Sequence, residues 1–229
     1  MQYTPDPNYH GNDILTLTPS INVDRELHFS FDNNDATDDN FGTNNNGNPS
    51  ANANISNEQL TLTGDGYITV PGTDFGITDS VTFASQIEVN TAASPGPMEI
   101  ISLNDVIRFQ YDSQQNELKG SYSASTTNIP QNTRVDLTPL GINLADGNTH
   151  HVAYTIDTSN GLQALYVDGQ RVHVTLSSEP LLLPSPQNAV AQIGAFGNTQ
   201  DFRFNGNLDD VQIFSRCLLY TSPSPRDRG

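Results

Sequence analysis

Carboxylates are the chemistry this sequence holds in excess. Twenty-six Asp and Glu residues stand against 9 Lys and Arg in a chain of 229, a formal net charge of −17. A field of that sign repels nucleic acid and anionic membrane surfaces, so neither is expected as a partner. It favours a solvated surface, a saline environment, or carboxylates that hold cations. The densest stretch, Asp32 to Asn40, contains four aspartates and three asparagines. Hard oxygen donors of this kind suit calcium, but the order is not that of an EF-hand, because Ala36 falls on a ligand position and the turn glycine is missing. Asp209 and Asp210 are adjacent, so on a regular strand they point to opposite faces and form no catalytic pair. The same alternation separates His150 from His151, while His10, His28 and His173 stand apart in the sequence, which argues against zinc. There is no G-x-S-x-G, no Walker loop and no H-E-x-x-H. The chain is expected not to be an enzyme.

The elements that must carry these residues are strands. Thr149 to Val174 reads as three in succession: Val152, Tyr154 and Ile156 alternate with polar or small residues, and Ser159-Asn160-Gly161 supplies a turn. Asp168-Gly169 then joins Leu162–Val167 to a run starting at Arg171, as a tight turn needing positive φ at both central residues. Further alternating runs span 26–32, 59–70, 80–89, 98–103, 106–111, 118–123, 190–196 and 206–214. The stretch from Asp32 to Asn54, rich in Asn, Asp and Gly, reads as a long surface loop, and 124–148 as irregular. No sustained 3.6-residue period occurs. Many short strands with turn signals between them predict an all-β, two-sheet antiparallel β-sandwich of the jelly-roll kind.

The same stretches resemble the laminin-G-like branch of the concanavalin A-like superfamily. His150-His151-Val152-Ala153 and Tyr166-Val167-Asp168-Gly169 resemble the family phrase W-H-H-V-A…Y-V-D-G, with Thr149 where the family has Trp. The run GYITVPG and the closing phrase through Phe204, Gly206, Leu208, Asp209, Asp210, Val211, Ile213, Phe214 and Arg216 extend the likeness over roughly residues 24 to 216. Some relatives of this fold hydrolyse polysaccharides with an E-x-D-x-x-E strand, and none of Glu26, Glu58, Glu88, Glu99, Glu117 or Glu179 begins one. The resemblance implies instead a non-catalytic module that binds a glycan or an extracellular protein. It also implies a calcium ion at a sheet rim, where Asp32 would meet Asp209 or Asp210. The plainer alternative is that Asp209 or Asp210 bonds backbone amides and the Asn/Asp loop is only solvated. Lectin-type sites want an aromatic platform; with no Trp in the chain, Tyr122 or Phe202 could supply it.

Both ends differ from the middle. Residues 2–18 resemble the closing hairpin of a cadherin-like tandem repeat through Tyr3, Thr4, Pro5, Asn8, Tyr9, Gly11 and Asp13, with a linker after them. Residues 217–229, with the single cysteine, Cys217, resemble a sequencing adapter translated in frame, so native sequence is expected to stop at about Arg216. Three segments follow: 1–22 from an upstream repeat plus linker, 23–216 the sandwich, and 217–229 read-through. No signal peptide is visible, and the cadherin-like lead suggests a start further upstream. The context expected is a longer bacterial adhesin, extracellular or on the cell surface, whose neighbouring domains lie on the same chain. A structural spacer in an adhesin stalk, or an accessory module of a polysaccharide-degrading enzyme, are the other readings.

Overall fold

A computed structural model describes residues 25–37, 45–71, 75–92, 95–104, 106–177, 179–181, 190–197 and 202–218. The expected cadherin-like segment and all but the first two residues of the expected read-through lie outside the described residues. The strands are β1 (Arg25–Phe29), β2 (Asn48–Pro49), β3 (Ala53–Ser56), β4 (Gln59–Leu62), β5 (Ile68–Val70), β6 (Ser80–Val89), β7 (Pro97–Leu103) and β8 (Ile107–Asp112). They continue with β9 (Glu117–Ser123), β10 (Pro130–Asp136), β11 (His150–Asp157), β12 (Leu162–Val167), β13 (Gln170–Leu176), β14 (Ala191–Ile193) and β15 (Gly206–Phe214). One short 3₁₀ turn, Thr138–Leu140, is the sole helical element among the described residues, and none is long and apolar enough to cross a membrane.

Two antiparallel sheets result, as the alternation predicts. The larger has eight strands in the order β13-β12-β11-β6-β15-β4-β3, with β1 added against β15; the smaller has seven, β10-β9-β8-β7-β14-β5-β2. One apolar core fills the space between them, built from inward residues such as Leu27, Phe29, Phe83, Phe109, Tyr122, Val152, Tyr154, Ile193 and Ile213. Period-two alternation forces this arrangement, because each strand has one apolar face to bury. The Asp168-Gly169 turn has φ of 47° and 79°, the positive values its type requires.

Two readings of irregular chain are corrected. The Asn-rich stretch is not one long loop: β2 and β3 lie within or beside it, and Ala36 and Asn45 are buried. Similarly, β10 pairs with β9 along its whole length, although its inward positions are Gln131, Thr133 and Val135. Only one of those three is apolar, so the period carried little hydrophobic signal. The outer face of the larger sheet also holds a small apolar patch, Ala84, Ala153, Ala164 and Tyr166. Residues 216–218 run beside it: Thr82 Oγ1 donates to the Arg216 carbonyl at 2.8 Å and accepts from the Leu218 amide at 3.0 Å.

Candidate binding groove

The outer face of the smaller sheet is where unlike strands bring polar side chains together. Phe109, Leu118, Tyr122 and Thr133 turn toward the core, so their neighbours must turn outward. The β8–β9 register sets Arg108 opposite Ser121 and Gln110 opposite Lys119; the β9–β10 register adds Asn132 beside Ser121 and Arg134 beside Lys119. Gln110, Lys119, Gly120, Ser121, Asn132 and Arg134 line a groove of about 410 Å³. Gly120 contributes backbone only. A Cβ there would sit 2.5 Å from the Tyr154 ring of the opposite sheet, so this position accepts no side chain.

The groove has two cationic and three neutral hydrogen-bonding side chains and no carboxylate in its lining. Lys119 is held in place by Asp112 and Glu117, at 3.2 and 3.1 Å from its Nζ. Asp112 is itself fixed, because its Oδ1 accepts from the amides of Gln114 and Gln115. Arg134 is exposed and enters none of the ion pairs of the described residues.

Beyond β8 the face is closed by the chain that follows β14. Ser102 Oγ donates to the Ala195 carbonyl at 2.9 Å, and the Glu99 amide donates to the Phe202 carbonyl at 2.6 Å. Phe196 and Phe202 lie 6.2 Å apart, and the Arg108 guanidinium sits 3.6 Å from the first ring centroid and 4.9 Å from the second. Cations so placed are drawn to the ring faces. Glu99 lies beneath, fully buried, its Oε2 accepting from Arg108 Nη2 at 2.9 Å. Burial pushes its carboxyl up to about 8, against the pull of Arg108. Its Oε1 has no hydrogen-bond partner. Phe202 is 40% exposed, so the polar floor ends at a partly open aromatic wall. Tyr122, the other aromatic singled out in the sequence, is withdrawn: it is 1% exposed, with its hydroxyl donating to the Glu179 carbonyl at 2.6 Å.

The expected calcium ligands occupy other surroundings. Asp32 is exposed just after β1. At Asp210 β15 bulges, with φ of 47° and a register shift between Asp209 and Gln212, so the strict alternation expected there fails. Asp209 Oδ1 accepts from the Asp210 amide at 2.7 Å. Asp210 meets His28 Nε2 at 3.1 Å through Oδ1 and accepts from Gln86 Nε2 at 2.7 Å through Oδ2. His28, alone in the sequence, thus gains a partner 182 residues away. Among the described residues no group of three or more His, Cys, Asp or Glu side chains could hold a metal ion. Asp38 to Asn40 lie outside the described residues.

The paired histidines serve structure. His150 Nδ1 lies 2.8 Å from Asp168 Oδ2 and its Nε2 lies 3.2 Å from Asp146 Oδ1, tying the β12–β13 turn to the preceding loop. Burial alone would lower the His150 pKa, but the bonds and charges of Asp168 and Asp146 raise it. His151, more deeply placed on the outer face of the larger sheet, is lowered by burial against the charges of Asp168 and Asp210.

Residues 62–221 match the family model described as the Concanavalin A-like lectin/glucanases superfamily, of laminin G type. No curated protein matches the sequence. Among solved structures, the binding domain of botulinum neurotoxin DC in complex with SialylT aligns at 18% identity and a TM-score of 0.62, covering 87% of this chain and 50% of that one. The same toxin domain in complex with rat synaptotagmin II aligns at 17% and 0.59, with 87% and 50% covered. Domain 4 of AbnA, an extracellular GH43 arabinanase from Geobacillus stearothermophilus, in complex with arabinotriose, aligns at 17% and 0.61, with 85% and 94% covered. This chain therefore spans about half the length of the toxin domains and nearly all of the arabinanase domain. At these identities the likeness is one of fold.

Proposed function

The chain belongs to the concanavalin A-like lectin/glucanases superfamily, and we propose that it is a non-catalytic glycan-binding module whose site is the groove on the smaller sheet. The observation that carries this reading is the groove's lining: Gln110, Ser121, Asn132 and Arg134 present donors and acceptors on a rigid sheet face, and Arg108, opposite Ser121, links that face to the partly exposed Phe202 ring. Convergent polar groups next to an apolar surface are what small-molecule sites use for orientation and affinity. Glycan complexes of two similarly folded domains are in keeping with it. Against hydrolysis stands the setting of Glu99, the buried carboxyl on this face: its side-chain partners are Arg108 and Gln110, whereas a retaining glycosidase needs a second carboxyl about 5 Å away.

The setting proposed is extracellular or at the cell surface, within a longer adhesin-like chain. Calcium at Asp32, Asp209 and Asp210 belongs to the same proposal and is its costliest element, since Asp210 would have to surrender its His28 and Gln86 bonds. A glycan array probed with the full chain, in calcium and again in chelator, tests both parts. Binding to one sugar family that Ser121→Ala/Asn132→Ala abolishes supports the groove; equal melting temperatures in calcium and chelator remove the ion. A protein partner is the second reading, favoured by β13, an edge strand carrying the exposed Val174 and Leu176. Such edges accept an added strand.

A further inference from the structure

We propose that the groove selects a glycan bearing an isolated negative charge, a uronic acid, sialic acid or sulfated sugar, and that Arg134 binds that charge. This rests on the groove being the glycan site. Cations are scarce here, with 9 Lys and Arg in the chain, yet Arg108, Lys119 and Arg134 share one face of one sheet. Two of the three are already employed. Arg108 is bonded to Glu99 and set against Phe196 and Phe202, and Lys119 lies between Asp112 and Glu117. Arg134 is exposed, borders the groove beside Asn132, and enters no ion pair among the described residues. A guanidinium in that position offers a planar fork of donors matched to a carboxylate or sulfate, with the Lys119 ammonium on the neighbouring strand adding to the field.

The next outward row of the same sheet limits how much charge can bind. The register places Asp112 opposite Glu117 and Glu117 opposite Asp136, a row of three carboxylates one pleat beyond Gln110, Lys119 and Arg134. Successive residues on one face of a strand lie about 7 Å apart, less than the Debye length of about 8 Å at physiological salt. A polyanion crossing the groove would therefore still feel those carboxylates through partial screening, Asp136 most of all, since Asp112 and Glu117 share Lys119. One acidic sugar in an otherwise neutral oligosaccharide fits the cationic row and avoids the acidic one.

The test is a panel of matched oligosaccharide pairs bound to the full chain: sialylated and desialylated, uronic acid and its methyl ester, sulfated and desulfated, with fully charged trigalacturonate alongside. The expected result is preference for the charged member of at least one pair, trigalacturonate binding more weakly than a singly charged oligosaccharide. Arg134→Ala should reduce that affinity about tenfold or more, by the strength of a charge-assisted pair, with its melting temperature unchanged. Arg134→Lys should recover part of the affinity, and Asp136→Asn should bring trigalacturonate closer to the singly charged ligand. The pair that responds separates carboxylate from sulfate. Equal binding of charged and neutral members, insensitive to Arg134→Ala, would overturn the charge selection and leave the groove as a neutral-glycan site. Silence across the panel from a folded sample would overturn both readings.

Discussion

The two outward faces of the sandwich carry polar residues of similar kinds and use them in opposite ways. On the larger sheet, Asp210 reaches His28 and Gln86, so that polar row is satisfied by its own neighbours. On the smaller sheet, β8 to β10 leave Ser121, Asn132 and Arg134 facing a groove of about 410 Å³. The first arrangement spends its hydrogen bonds on holding distant strands in register. The second leaves more of its polar groups to solvent, where a ligand can exchange with water for them, although Asn132 Nδ2 also donates to the Pro130 carbonyl at 3.3 Å. A polar outward residue is therefore evidence of binding only where the sheet itself does not already satisfy it.

The largest effect expected on this contrast comes from beneath the groove. Gly120→Ala pushes a Cβ into the Tyr154 ring and should cost about 1–3 kcal/mol by overpacking. Because the strand must shift outward, binding should fall with stability, as urea unfolding and glycan titration of one sample would show. Asp210→Ala strips His28 and Gln86 of a shared acceptor on a partly buried row and should cost about 1–2 kcal/mol. Glycan binding should be unchanged; a loss would mean that the two faces are not independent.

A further effect is pH-dependent. The Glu99 carboxyl has an ordinary value of 4.5 and is raised to about 8 in the fold, so the folded state binds the proton more tightly. Its contribution to stability is fully present below pH 4.5 and is lost as pH rises to about 8. Glu99→Gln should flatten the fall in melting temperature between pH 5 and 8.5; a parallel decline in both proteins would place the titration elsewhere. Smallest in stability is Ser121→Ala/Asn132→Ala, expected within about 0.5 kcal/mol of the parent, as for surface positions outside the core. Its effect on binding should be the reverse of that of Asp210→Ala.

Reading the sequence went furthest where the signal was local. The strands from β6 to β9 and from β11 to β13, and the Asp168-Gly169 turn, follow from alternation and turn chemistry within a few residues. β10 escaped because Gln131 and Thr133 take two of its three inward positions, and β3 because it follows so closely on an Asn-rich run. At Asp210 the rule of opposite faces failed because one bulge resets the alternation. Phe202 was legible only as an aromatic residue, one of two equally good choices; burial separated it from Tyr122.

What the sequence by itself determined is the all-β class, most strands and the family, because a period of two and a tight turn are properties of neighbouring residues. What only the tertiary structure decided is which polar groups are already engaged. His28 finds Asp210 across 182 residues, Arg108 meets Phe196 and Phe202 from beyond β14, and Gly120 is constrained by Tyr154 of the other sheet. Those pairings depend on strand order and register between distant segments, which set whether an outward side chain meets a partner or water.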